Sequence, residues 1–443
     1  MKTPRLVAVL SSVALLASTF FVASATAESK ARIVRLSNVE GSVQIERAAG
    51  EGLEKAFLNL PIVEGARIKT GSEGRAEIEF EDGSTLRLAN ESELSFPRLA
   101  LGDAGQKLST VQLVSGTAYA NLHEDKTDQF QLNFAKESIA VPEAAHFRVT
   151  LETASANVAV FKGAIKATGP TGDHEVAEKH SATIELASTD PADKDAFVIS
   201  KNSEEAPLDA WDRKQNDYHD RYAKSAGSGF SSPYGYGMSD LNYYGSFMMI
   251  PGYGMGWQPY FVDASWDPFM DGGWAFYPGM GYMWVSGYPW GWMPYYYGNW
   301  TFVPGYGWVW QPGYWNTWYG RPRVVNPPAR TKLPTAPTSG QKLVLVGRGL
   351  TSNPARVMGK LTIAPGSAGF GVPRGSVRHL DQAQRTMQRT SAPVAVAAQP
   401  PAPVTDQPSV FGGSSAPARG ATMPRQSAPA HRSAPPAPPS RPH

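Results

Sequence analysis

Ala76-Glu77-Ile78-Glu79-Phe80-Glu81-Asp82-Gly83-Ser84-Thr85-Leu86-Arg87-Leu88 alternates apolar and acidic residues, turns, and returns with leucine at every second position. Alternation of period two marks a strand with one buried face. Ala76, Ile78 and Phe80 share one face, and Glu77, Glu79 and Glu81 share the other. Asp82-Gly83 supplies a hairpin turn, and Leu86 and Leu88 come back on the inner side. Acids lined up along the outer face of such a strand are expected to be solvated, so they are not read as a glycosidase carboxylate pair.

The same pattern extends outward. Val111-Gln-Leu-Val114, Phe130-Gln-Leu-Asn-Phe134, Phe147-Arg-Val-Thr-Leu151 and Asn157-Val-Ala-Val-Phe161 are further short strands with turns between them. Many strands without intervening helices predict a mainly β fold, an antiparallel β-sandwich or jelly roll over residues 28–200. This stretch resembles the FecR-type domain. The resemblance rests on Val39-Glu-Gly41-Ser-Val43, Val63-Glu-Gly65-Ala-Arg-Ile68-Lys-Thr70-Gly71, the Ala76–Ser84 hairpin, Val114-Ser-Gly116, Phe147-Arg-Val149 and Val160-Phe-Lys-Gly163. It implies the fold of the periplasmic part of iron-dicitrate sensor regulators. In those regulators the domain follows a membrane helix and a cytoplasmic anti-sigma segment.

The N-terminus reads differently here. Lys2 and Arg5 precede an apolar run from Leu6 to Val22, and Ala25-Thr26-Ala27 is a small-residue cleavage site. These features predict a signal peptide over residues 1–27 and a mature start at Glu28. No later stretch is apolar and long enough to span a bilayer after cleavage. The chain has no cysteine, so neither a lipoprotein anchor nor a disulfide is possible, and stability must come from core burial. The expected location is the periplasm or the cell envelope.

Charge is unevenly placed. Residues 28–320 carry 23 Lys and Arg against 37 Asp and Glu, whereas residues 321–443 carry 16 against 2. An acidic body therefore bears a basic C-terminal segment. Its expected partners are an anionic envelope polymer or the acidic body itself, and not nucleic acid. From residue 326 to 443 the composition shifts to Pro, Ala, Ser and Arg, which predicts a largely disordered tail, with Lys342-Leu-Val-Leu-Val346 as one strand against the body. Pro207–Lys224 reads as one connecting helix, with Leu208, Trp211, Tyr218 and Tyr222 on a stripe and Asp209 and Asp212 placed to suit its dipole.

Residues 238–320 form the second half. One aromatic pattern occurs three times, starting at Phe247, Trp274 and Trp300 and ending at Trp257, Trp284 and Trp310. Each copy carries Pro-Gly at its centre, suited to a type II turn, so each predicts a β-hairpin with large rings at alternate positions. Three such hairpins are expected to form a small sheet or an incomplete propeller-like array. This half resembles an uncharacterised family of aromatic repeats found after FecR-type domains in bacterial exported proteins, on Pro251-Gly-Tyr-Gly254, Trp257-Gln-Pro-Tyr260, Trp290-Gly-Trp292-Met-Pro-Tyr295 and Gly307-Trp308-Val-Trp310. The resemblance carries no activity with it.

Between Tyr243 and Gly320 there are 29 aromatic residues, and only Asp263, Asp267 and Asp271 are charged. A sheet this small predicts that several rings reach solvent, where they suit sugar faces or an apolar partner. Trp266, Trp292, Tyr295 and Trp300 are the candidate ligand-binding residues. The eight histidines show no zinc spacing, the three aspartates match no calcium loop, and the methionines of the repeat read as packing. No catalytic residue, metal or cofactor is expected. The sequence thus predicts an exported, non-enzymatic envelope protein that binds glycan, peptidoglycan or a protein partner. A FecR-like signalling module and a self-associating matrix protein are the alternatives.

Overall fold

The computed structural model describes residues 32–123, 128–223, 235–315, 321–338, 340–351 and 359–399. Residues 1–31, which include the expected signal peptide, and residues 400–443 lie outside these. The fold is mainly β, with 45% of residues in strands and 11% in helices, arranged as open sheets without a barrel. The opening hairpin forms as its alternation dictates: Arg75–Glu79 pairs antiparallel with Thr85–Leu88, Ile78 faces Leu86 and Ala76 faces Leu88. Gly83 takes the left-handed backbone (φ +88°) that its turn position requires.

The N-terminal half is a two-sheet sandwich built around one long strand, Lys107–Leu122. Its first part pairs with Glu93–Leu101 and, in parallel, with Gln129–Phe134 in one sheet. Its second part pairs with Thr85–Leu88 and Ala145–Leu151 in the other. Gly116 sits where the strand passes between sheets, with φ +78°. A Cβ there would lie 2.3 Å from Ser92 Oγ, and that hydroxyl accepts the Thr117 N–H at 2.8 Å. The inner faces, including Ile78, Leu88, Val111, Phe147 and Val158, are fully buried.

All three aromatic copies are hairpins in the same register. Phe247 faces Trp257, Trp274 faces Trp284, and Trp300 faces Trp310. In each turn an N–H closes onto a carbonyl three residues back at 3.0 Å, from Tyr253 to Ile250, Met280 to Tyr277 and Tyr306 to Val303. Gly252, Gly279 and Gly305 follow Pro with positive φ, the type II arrangement expected. The three do not form one array. The first and third share a five-stranded sheet, in which Trp257 pairs with Trp310. Gln258 Nε2 donates to Tyr306 O at 2.8 Å, and Gln311 Nε2 donates to Tyr253 O at 2.7 Å. The two copies thus clasp each other's turns reciprocally. The second hairpin stands in another sheet beside Leu343–Val346, the strand expected in the C-terminal segment.

Among the described residues four helices punctuate the strands: α1 (Asp209–Ala223), α2 (Met238–Tyr244), α3 (Met293–Tyr296) and α4 (Leu380–Thr390). Only α1 is anticipated by the sequence. The expected disorder from residue 326 does not hold over residues 359–399. There, Ile363, Val372, Val377, Leu380, Ala383 and Met387 enter the core. Tyr244 Oη donates to Val372 O, Tyr243 Oη to Val377 O and Trp290 Nε1 to Ala368 O, at 2.7–2.8 Å. Indole and phenol donors thus satisfy the carbonyls of an irregular segment that has no sheet to do so.

Candidate functional site

The four aromatic residues singled out by sequence are all in the core. Trp266, Trp292, Tyr295 and Trp300 are 3%, 1%, 2% and 0% exposed. Trp266, Tyr295 and Trp300 gather around Trp290, with ring centres 5.8–6.2 Å apart. Trp266 Nε1 donates to Tyr288 Oη at 2.9 Å, and the Tyr295 hydroxyl donates to Pro268 O. Trp292 lies apart, edge-on to Tyr236 and Tyr296. All ten tryptophans with described side chains are at most 3% exposed. Several rings of the repeat do reach solvent, but none of the indoles with described side chains does, because the repeat does not bury its rings alone: the N-terminal sandwich and the C-terminal segment cover them, in one continuous apolar cluster. Among the described residues of the repeat, the most exposed aromatics are Tyr253, Phe276 and Tyr306, each 38–44% exposed.

The polar counterpart of that shared core is a buried charge network, and it starts at the glutamates of the opening hairpin. Glu77, Glu79 and Glu81 are 0%, 1% and 6% exposed, so the outer strand face is covered rather than solvated. Alternation identifies a face but not what packs on it. Glu77 accepts from Arg87 Nε at 2.7 Å, His219 Nε2 at 3.0 Å, Ser37 Oγ at 2.7 Å and the Arg374 guanidinium. Burial alone would raise its pKa, but His219, Arg374 and Arg87 outweigh burial and hold the carboxyl well below the usual range. Glu79 accepts from Arg35 Nη1 and the Gly237 N–H, each at 3.0 Å. There burial outweighs Arg35, and the carboxyl is pushed up.

Asp240 on α2 completes the junction. Arg374 reaches it with Nε and Nη2 at 3.0 Å, and Arg35 Nη1 lies 2.6 Å away. Burial opposes its ionisation, and Arg374 and Arg35 reverse that effect and lower it. Arg35 also donates to Asn59 Oδ1 and to Pro289 O, while Asn59 Nδ2 donates to Ser286 O and Tyr288 O. The two aspartates expected to favour the α1 dipole act instead across the interface. Asp209 holds Arg148 and the Tyr119 hydroxyl, and Asp212 holds Arg87 and His146. Thus α1, α2 and the Arg374 loop are pinned to one face of the sandwich by fully enclosed ion pairs.

Ser239 Oγ, His219 and Glu77 also fall in a row, with contacts of 3.1 and 3.0 Å. The order is that of a nucleophile, base and carboxylate. Ser239 is buried, however, and two guanidinium groups already hold Glu77, so the row's visible role is cohesion. The aspartates of the aromatic half are likewise structural: Asp263 and Asp267 cap local turns, and Asp271 takes Arg348 at 2.6 and 3.0 Å. Among the described residues no group of three or more His, Asp or Glu is placed to hold a metal.

Two of the clefts lined by described residues bear on the site. One, between Phe80, His123 and Phe130, has a volume of about 50 Å³, room for a few waters only. The other, about 220 Å³, lies where the sandwich, the second hairpin and the Leu343–Val346 strand meet. The sequence gives no sign of either, because each is assembled from distant segments.

Comparison with known proteins agrees with the two halves. Residues 66–166 match the FecR protein family, and residues 238–332 match a family of unknown function, DUF6600. The chain carries a FecR domain followed by a DUF6600 domain. FecR-type proteins are typically periplasmic, and among the described residues no helix is long and apolar enough to cross a membrane. Two solved structures of a candidate anti-sigma factor from Parabacteroides distasonis are similar over part of their length. They share 16% and 15% identity, cover 33% and 35% of this chain, and superpose with TM-scores of 0.27 and 0.28. This chain spans 63% of the first and 71% of the second. No curated protein matches it.

Proposed function

We propose that the chain is a FecR-type regulatory module, exported through its N-terminal leader and acting without chemistry of its own on a protein partner in the periplasm. The observation that carries this reading is the FecR match over residues 66–166, which takes in the Glu77 strand on which the charge network is founded. The network supports it physically. It joins the FecR sheet, α1, α2 and the Arg374 loop into one body, so a partner touching any of them acts on all. The envelope-binding reading that the sequence puts first loses the support of its four candidate rings, since each is enclosed. The test is a comparison of transcript profiles in the source bacterium with and without the chain, alongside N-terminal sequencing of the exported form. A discrete set of altered transcripts, restored by the wild-type chain, and a start at Glu28 are expected. An unchanged profile overturns the regulatory reading.

A further inference from the structure

We infer that the 220 Å³ cleft at the junction of the three segments is a binding site for a single neutral sugar ring. This goes beyond the regulatory reading and does not rest on it. The cleft is lined by Arg47, Glu51, Glu54, Phe276, Tyr282 and Lys342. Phe276 and Tyr282 are cross-strand neighbours in the second hairpin, their rings 5.2 Å apart and inclined at 60°. Phe276 is 38% exposed, so it presents apolar ring surface to the opening. It is one of the few aromatic rings of the repeat that is not sealed inside.

The Arg47 side of the polar wall is fixed before any ligand arrives. Arg47, 5% exposed, is held by the Glu54 carboxylate and by the Phe276 and Lys342 carbonyls, and its guanidinium lies 5.1 Å from the Tyr277 ring centre. Lys342 Nζ contacts Glu51 at 2.6 Å, and Tyr282 Oη donates to Gln341 O at 2.7 Å. Such preorganisation removes ordering cost from binding.

Three arguments select the ligand. Both cations are already paired with both acids, Arg47 from a buried position and Lys342 from an exposed one, so a charged ligand competes with an existing ion pair, whereas a neutral one does not. The carboxylates keep free lone pairs that accept from hydroxyl groups, and the aromatic ring covers the apolar C–H face that a pyranose carries. The volume falls below the roughly 300–1,000 Å³ of clefts for drug-sized molecules, which restricts occupancy to one ring. Because the cleft exists only when sandwich, hairpin and C-terminal strand are together, occupancy stabilises the joined body.

The experiment is saturation-transfer NMR on the full exported chain with glucose and with N-acetylglucosamine, and with phenol as the apolar control. Saturable transfer from ring C–H protons is expected for at least one sugar, with a dissociation constant on the order of 1 mM, the weak end of the affinity scale. Phe276→Ala and Glu51→Gln should each weaken it at least tenfold. Both residues are at the surface, and unchanged melting without ligand confirms that the variants fold. Tyr253→Ala, at the first hairpin's turn, should leave binding unaltered. Absence of saturable binding by both sugars, equal binding in Phe276→Ala, or binding of phenol alone would overturn the assignment.

Discussion

Arg374 and Glu77 stand 297 positions apart in the chain and meet charge to charge beneath the paired helices α1 and α2. Both side chains are enclosed, at 5% and 0% exposure. A buried pair contributes little by existing but costs a great deal when half of it is removed, because the survivor stays desolvated. Arg374→Met should therefore lower stability by about 3–5 kcal/mol. Urea unfolding should show the midpoint falling at unchanged slope. A loss below ~1 kcal/mol would mean that the loop is not docked in solution.

Acid should weaken this body in a defined window. The Glu77 carboxyl is held below its unfolded value of 4.5, so its contribution is complete above pH 4.5 and disappears as the pH falls toward its folded value. Asp240 and Asp212, also lowered, act in the same direction below their unfolded value of 3.8. Glu79 is raised and opposes them: it takes up its proton more readily when folded, which favours the native state as the pH drops. Equilibrium unfolding from pH 7 to 3 should show stability declining chiefly below pH 4.5. Glu77→Gln should flatten that decline and lower the neutral-pH plateau.

The indoles give an independent readout. With ten tryptophans at most 3% exposed, emission should be blue-shifted, and iodide should leave most of it unquenched. Trp300→Ala should cost about 3–5 kcal/mol as a core truncation. Emission that iodide quenches almost entirely would contradict the enclosed aromatic core.

Gly116→Ala tests the strand that serves both sheets. The substitution imposes a side chain on a left-handed backbone and sets it 2.3 Å from Ser92 Oγ. A loss above ~1 kcal/mol is expected in thermal or urea unfolding. Gly105, in the turn before the same strand and also at positive φ but with open space around its Cβ position, should cost less on the same change.

What could be read from sequence divides along physical lines. The three hairpins were legible because Pro-Gly fixes φ locally, and the facing ring pairs follow from the turn. The strand Ala76–Phe80 was equally legible, and so was α1 with its stripe of Trp211 and Tyr218. The fate of Glu77 was not, because alternation leaves open what lies over a face, and its cover comes from residues as distant as Arg374. The order of residues 359–399 within the C-terminal segment is hidden for a related reason. The segment's proline, serine and arginine content lowers mean hydropathy, yet Leu380, Ala383 and Met387 carry helical spacing, and the carbonyls of Ala368, Val372 and Val377 depend on donors over 70 residues away. Tryptophan exposure was overestimated by treating the repeat as a body alone.

The Leu343–Val346 strand has a consequence for the handling of this protein. It occupies the rim of Gly272–Tyr277, pairing Gly272 with Val346 and Ala275 with Leu343. A chain shortened ahead of Leu343 would leave that rim as a bare ladder of amides and carbonyls beside the half-open Phe276, a template on which strands of other molecules can add. Truncation to the recognised family segments alone would thus trade a basic extension for insolubility.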